Sequence, residues 1–214
     1  MLTEISDCAR DLSLAIAIPY VEVDHQGKYY NSAALFDRTG SLVLNYSKIH
    51  LWSSYEQDVF TPGGLEDLKV VTLDGNYKVG IQICFDIEFP EPARVLALKG
   101  AELLIVPTAL GAGPADSLTP RCFIPTRAQE NHVFIAYSNF PYEAKKEGQQ
   151  KGFLEYCGQS AIVGPDGADL QRAAETGEAL LFASFKPEQY KRNFERNPYL
   201  KERRPDLYGL LSKL

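Results

Sequence analysis

The stretch that most constrains the fold is VGIQICFDIEFPEPARVLALKGAELLIVPTAL, residues 79–110. It opens as an apolar run of strand length, passes through an acidic, proline-bearing segment, and places Phe89, Ala93, Leu96 and Ala97 on one helical face before Gly100, a natural helix stop. A second apolar run, AELLIVPTAL, follows. Neither run alternates between apolar and polar residues, so both read as strands covered on both faces.

The rest of the chain repeats this vocabulary. Residues 14–23, 29–37 and 42–48 read as strands, the last two joined by a hairpin turn around Gly40. Residues 68–84 read as a hairpin with Asp74-Gly75 at its tip. Further strands are expected at 133–140, within 152–167 ahead of a turn at Pro165-Asp166-Gly167, and at 178–185. Helices are expected at 3–12, 88–100 and 121–133, and residues 49–65 are irregular, broken by Pro62-Gly63-Gly64. With no repeat, low-complexity tract or linker, residues 1–214 read as one domain. Hairpin signals demand antiparallel neighbours and doubly covered strands demand layers on both sides. Two mixed sheets packed together with helices outside, an α/β fold, satisfy both.

Composition narrows the function. The formal net charge of −6 lacks the basic excess of a nucleic-acid binder. There is no run of about 20 apolar residues to cross a membrane. The first residues carry acids where a signal peptide carries bases. The four cysteines, Cys8, Cys84, Cys122 and Cys157, form no CxxC pair, which argues against a disulfide framework or zinc site and for a reducing, cytoplasmic setting. No metal or cofactor is expected.

Cys84 stands at the end of a strand, immediately before a helix. Three readings are open: a small buried hydrophobe, as free cysteines commonly are, a metal ligand, or a nucleophile whose thiolate is favoured by the nearby helix start. None of the three histidines, His25, His50 and His132, stands at a spacing that pairs it with Cys84. Asp86 and Glu88 read as acids capping the following helix. Arg127, Glu130 and Asn131 read as a structural network.

Lys48 lies before His50-Leu51, Glu56 follows eight residues later ahead of FTPGG, and Cys84 lies in VGIQICFDIEFPEP. Together with RAQENHVFIAYSN and YCGQSAIVGPDG, these segments resemble the nitrilase superfamily of carbon–nitrogen hydrolases over nearly the whole chain. The tail RNPYLKERRPDLYG is similar to the aliphatic amidase, 5-aminopentanamidase-like branch. The resemblance implies a nitrilase-like α-β-β-α sandwich and hydrolysis of a linear amide to ammonia and a carboxylic acid. Cys84 would attack and form a thioester. Lys48 and the backbone N–H of Phe85 would face the oxyanion, and Glu56 would orient Lys48 or the substrate nitrogen. A small amide is the implied partner, and a homodimer or larger homo-oligomer the implied assembly, with Tyr199, Leu200, Leu207 and Tyr208 as apolar anchors.

One piece of the family pattern has no counterpart. The general-base glutamate belongs in an F-P-E-like segment near the start, and neither Glu4 nor Glu22 matches it. The expectation is that the chain lacks the first strand, the first helix and the base-bearing segment, and that its activity is impaired. The alternative is a non-catalytic nitrilase-like scaffold.

Overall fold

The computed structural model describes residues 1–73, 75–111, 118–143, 155–211 and 213. Its nine strands among the described residues form two sheets. The first contains β1 (Ile16–Val23), β2 (Tyr29–Phe36) and β3 (Leu42–Ser47), antiparallel throughout. The antiparallel order follows from the turns. In DHQGK, Asp24 Oδ1 accepts the amides of Gln26 and Lys28 at 2.7 and 2.9 Å, and in DRTGS, Asp37 Oδ1 accepts those of Thr39 and Ser41 at 2.8 and 3.0 Å. Each carboxylate closes a tight loop, and Gly27 and Gly40 take the positive φ the loop requires.

The second sheet has the order β4 (Val71–Leu73), β5 (Tyr77–Ile81), β6 (Leu103–Pro107), β7 (Phe134–Ser138), β8 (Ala161–Val163), β9 (Asp169–Arg172). It is mixed: β5, β6 and β7 run parallel, and the outer pairs are antiparallel. Parallel neighbours need long crossovers. These are supplied by α3 (Pro90–Leu98) between β5 and β6, and α4 (Ile124–Asn131) between β6 and β7. The expected hairpin tip includes Asp74, which lies outside the described residues, as does the start of the 152–167 segment.

Residue alternation builds four layers. Ala33, Leu35, Leu44 and Tyr46 of the first sheet pack against Val79, Ile81 and Ile83 of the second. On the far side of the second sheet, Leu104, Val106, Ile135 and Tyr137 pack against Ala93, Leu96 and Ala97 of α3 and Ile124 and Ala128 of α4. On the far side of the first sheet, Ala34 and Phe36 face Ala9 of α1 (Leu2–Leu12). Helix, sheet, sheet, helix is the expected α/β sandwich, with the difference that only the second sheet is mixed: the first is joined by tight hairpins and is antiparallel. At Gly80 an added Cβ would stand 3.1 and 3.2 Å from the two Leu96 methyl carbons, so glycine lets α3 lie close on β5.

The run at 178–185 is not a strand. It pairs with no described strand, and Leu180 and Phe182 are 84% and 76% exposed. Phe185 turns inward, onto the Phe134 ring at 4.7 Å between centroids. Apolar composition gave the run strand character, but a strand needs an edge to pair with. β9, which the sequence reading missed, pairs with β8 around Gly167 instead. The remaining helices, α2 (Ser53–Gln57), α5 (Lys191–Arg196) and α6 (Pro205–Tyr208), are short. No helix among the described residues is long and apolar enough to cross a membrane.

Candidate active site

The site forms where the ends of β3 and β5 meet. Cys84 follows β5 and starts a single 3-10 turn, Cys84–Glu88, at φ 50°. A left-handed backbone at a residue with a Cβ costs about 1–2 kcal/mol and persists only where the surroundings enforce it. Asp86 enforces it here. Its carboxylate is fully buried and accepts the Ile83 amide at 3.1 Å, so the turn closes back on the residue before the cysteine. It also accepts the His50 amide at 2.8 Å and the Tyr46 hydroxyl at 2.6 Å, and His50 Nδ1 lies 3.0 Å away. Asp86 therefore caps the 3-10 turn that Cys84 starts and not α3, contrary to the sequence reading. It points backward and ties the turn to the segment that carries Lys48.

Glu88 does not cap the helix either: its Oε1 accepts the Thr119 hydroxyl at 2.7 Å. The far end of the turn is held by Arg127. Its Nε donates to the Ile87 carbonyl at 3.1 Å, one terminal nitrogen to the Glu88 carbonyl at 2.8 Å, and the other to Glu130 at 3.0 Å. Asn131 Nδ2 donates to the Arg127 carbonyl at 3.0 Å. The expected structural network exists, and it braces the cysteine turn.

Lys48 continues directly from β3 and is 1% exposed. Its ammonium donates to Glu56 Oε1 at 2.7 Å and also meets Oε2. Glu56, in the short α2, further accepts the Asn31 side-chain amide at 3.2 Å and the Trp52 backbone amide at 2.6 Å. A buried ammonium is tolerable only when paired, and four hydrogen bonds from three donor groups hold the carboxylate in one orientation.

The fold brings Lys48, Glu56, Cys84 and Phe85 to one cavity of about 250 Å³, walled by Trp52, Tyr55, Leu110 and Tyr156. A second cavity of about 300 Å³, between β1 and the end of β6, also reaches Glu56 and Cys84. Burial pushes the Cys84 thiol pKa up, with smaller upward pushes from Glu56 and Glu88, while the Lys48 ammonium and the Ala109 amide pull it down. Phe85 is the second residue of the turn, where backbone N–H groups have no partner within the helix.

Glu22 stands apart. It accepts Ser32 Oγ at 2.7 Å and Asn45 Nδ2 at 2.8 Å within the first sheet and lines neither cavity. Among described residues, no cluster of three or more His, Cys, Asp or Glu side chains could hold a metal ion. Tyr46, Asn31, Trp52, Tyr55 and Tyr156 went unread in the sequence, and Asp86 was read only as a cap. Tyr46, Trp52 and Tyr55 stand near Lys48 and Glu56 along the chain, whereas Asn31 and Tyr156 carry no such signal.

The comparisons with known proteins agree with this architecture. The chain matches the carbon-nitrogen hydrolase family over residues 1–192. It is 39% identical over 209 residues to a hydrolase encoded in the pqqF 5' region of Pseudomonas protegens, covering 98% of this chain and 69% of that one. It is 35% identical to an (R)-stereoselective amidase of Pseudomonas sp, covering 97% and 70%. The crystal structure of a carbon-nitrogen hydrolase from Helicobacter pylori superposes with a TM-score of 0.85 at 30% identity, covering 98% and 75%. A mutant amidase from Nesterenkonia sp. AN1 superposes at 0.78 with 28% identity, covering 97% and 71%; it shows covalent addition of the acetamide moiety of fluoroacetamide at the active site cysteine. By sequence and by fold, the chain belongs to the carbon-nitrogen hydrolase family of the nitrilase superfamily, among amidase-type enzymes.

Proposed function

We propose that the chain cleaves linear, non-peptide amides through a Cys84 thioester. The carrying observation is that a strained, left-handed cysteine shares one cavity with a buried Lys48–Glu56 pair. Cys84 Sγ attacks the amide carbon. Lys48 and the Phe85 N–H stabilise the oxyanion. The C–N bond breaks, ammonia leaves with the thiol proton, and water then breaks the thioester to the acid. Glu56 holds the Lys48 ammonium in place. The amidase branch is favoured over nitrile hydrolysis by the amidases among the relatives.

The second half-reaction is the weaker one. Among the described residues lining either cavity, Glu56 is the only carboxylate, and Lys48, Asn31 and Trp52 occupy it. Water activation without a free general base forfeits about 10²–10⁴-fold. Acyl-enzyme should therefore accumulate.

The test is ammonia release from short aliphatic amides, with intact-mass analysis for an acyl adduct. A Cys84-borne adduct with slow turnover is expected, and Cys84→Ala abolishes both. Turnover in that variant would end the nucleophile assignment, and neither adduct nor ammonia from the native chain would leave the scaffold reading. A homodimer or larger assembly is also proposed, supported by the exposed Tyr199, Leu207 and Tyr208. Leu200 packs on its own chain's core. Light scattering that finds a monomer would end that proposal.

A further inference from the structure

We propose that the site selects amides whose organic part is neutral and apolar, arylalkyl above all, over amides bearing an amine or a second carboxylate. The inference rests on the amidase reading and names its substrate class. It comes from what lines the space around Cys84.

The cavity of about 250 Å³ has four aromatic side chains in its walls, Trp52, Tyr55, Phe85 and Tyr156, with Leu110 beside them. Such rings gain from stacking or edge-on contact with another ring, beyond the area they bury. The other cavity is also apolar: Pro19, Val21, Phe60, Ile83, Pro107 and Phe140 contribute to it. Cys84 belongs to both linings, so an acyl group on Sγ meets apolar walls in either direction.

Charge recognition is what the described lining lacks. Among the described residues of the two linings, the only charged side chains are Lys48 and Glu56, and they are bonded to each other. A substrate ammonium would find no carboxylate to spare and would enter a cavity that already holds the Lys48 ammonium. Aromatic faces attract cations, but here that attraction competes with a like charge on the same wall. A substrate carboxylate would find no arginine in either described lining and would face Glu56. Buried charge without a partner is costly, so both charged classes pay a desolvation penalty that a phenyl group does not.

The test uses the whole chain and does not depend on water activation. Nitrophenyl esters of phenylpropanoic, aminopentanoic and glutaric acid share one leaving group and differ in the far end of the acyl chain. Cys84 Sγ forms a thioester with the acyl carbon, nitrophenolate departs with the electron pair of the cleaved bond, and the thiol proton goes to solvent. The nitrophenolate burst gives the rate and intact mass locates the adduct. The phenylpropanoyl ester is expected to acylate Cys84 at least about 10-fold faster, per unit concentration, than either charged ester, the scale on which apolar pocket contacts discriminate. Trp52→Ala and Tyr156→Ala should each narrow that ratio. Equal rates, or a faster charged ester, would overturn this inference and leave the amidase reading standing. Acylation of Cys84 by none of the esters would overturn both.

Discussion

The carboxylate of Asp86 accepts the phenol hydroxyl of Tyr46 at 2.6 Å, across forty residues of chain, with both side chains sealed from solvent. One belongs to the turn that starts at Cys84 and the other to β3, two residues before Lys48. The bond therefore links the two sheets at the point where the candidate nucleophile and ammonium approach each other. Burial and the Asp86 charge push the Tyr46 pKa well above that of an ordinary phenol, so the hydroxyl remains a donor at every physiological pH.

Asp86→Asn keeps the shape but replaces one acceptor oxygen with a donor that cannot serve Tyr46, His50 and Ile83. A buried acceptor serving several donors is worth more than a single bond. The expected destabilisation is about 3 kcal/mol, read from urea unfolding. Activity should fall more than stability explains, because slight misplacement of a nucleophile is expensive in rate. A change below about 1 kcal/mol would show that the brace contributes little.

Backbone strain at Cys84 gives a stability comparison free of catalysis. Cys84→Gly and Cys84→Ala both remove the thiol, but only glycine is relaxed at φ 50°. The glycine variant should be the more stable by about 1 kcal/mol, measured side by side in urea. Equal stabilities would mean the left-handed turn is not maintained.

Cys84 alkylation by iodoacetamide should rise with pH and reach its midpoint above the value for an ordinary thiol, about 8.5, because burial raises its pKa. The fold prefers the neutral thiol. Its contribution to stability is therefore full below the unfolded thiol pKa and is lost as pH rises through the folded one. Lys48 pulls the pKa down, so Lys48→Met should move the alkylation midpoint higher still. A midpoint below that of a free thiol, or a downward move in the variant, contradicts the electrostatics.

Gly80→Ala places a methyl group 3.1–3.3 Å from Leu96 and Leu104 carbons, on the face that α3 covers. Overpacking of a filled core costs about 1–3 kcal/mol. The effect should appear in urea unfolding as a lower midpoint with an unchanged slope. A neutral result would mean that α3 shifts outward freely.

The sequence by itself determined the family, the layered α/β class and most strand positions. Gly100, the acid-plus-glycine turns at 24–28 and 37–41, and the apolar runs of residues 79–83 and 103–107 act locally, through backbone geometry and the burial of alternate faces. The resemblance to the nitrilase superfamily likewise singled out Lys48, Glu56 and Cys84, which the fold brings to one cavity. Tertiary structure decided the rest. Asp86 reads as a helix cap until the sheets pack and present Tyr46 and the His50 amide to it. The run at 178–185 reads as a strand until backbone pairing leaves it outside the sheet. The aromatic walls at Trp52, Tyr55 and Tyr156 come from segments about a hundred residues apart. A hydrogen-bond partner or cavity wall brought in from a distant segment leaves no periodic trace in the chain, so only the packed sheets could show it.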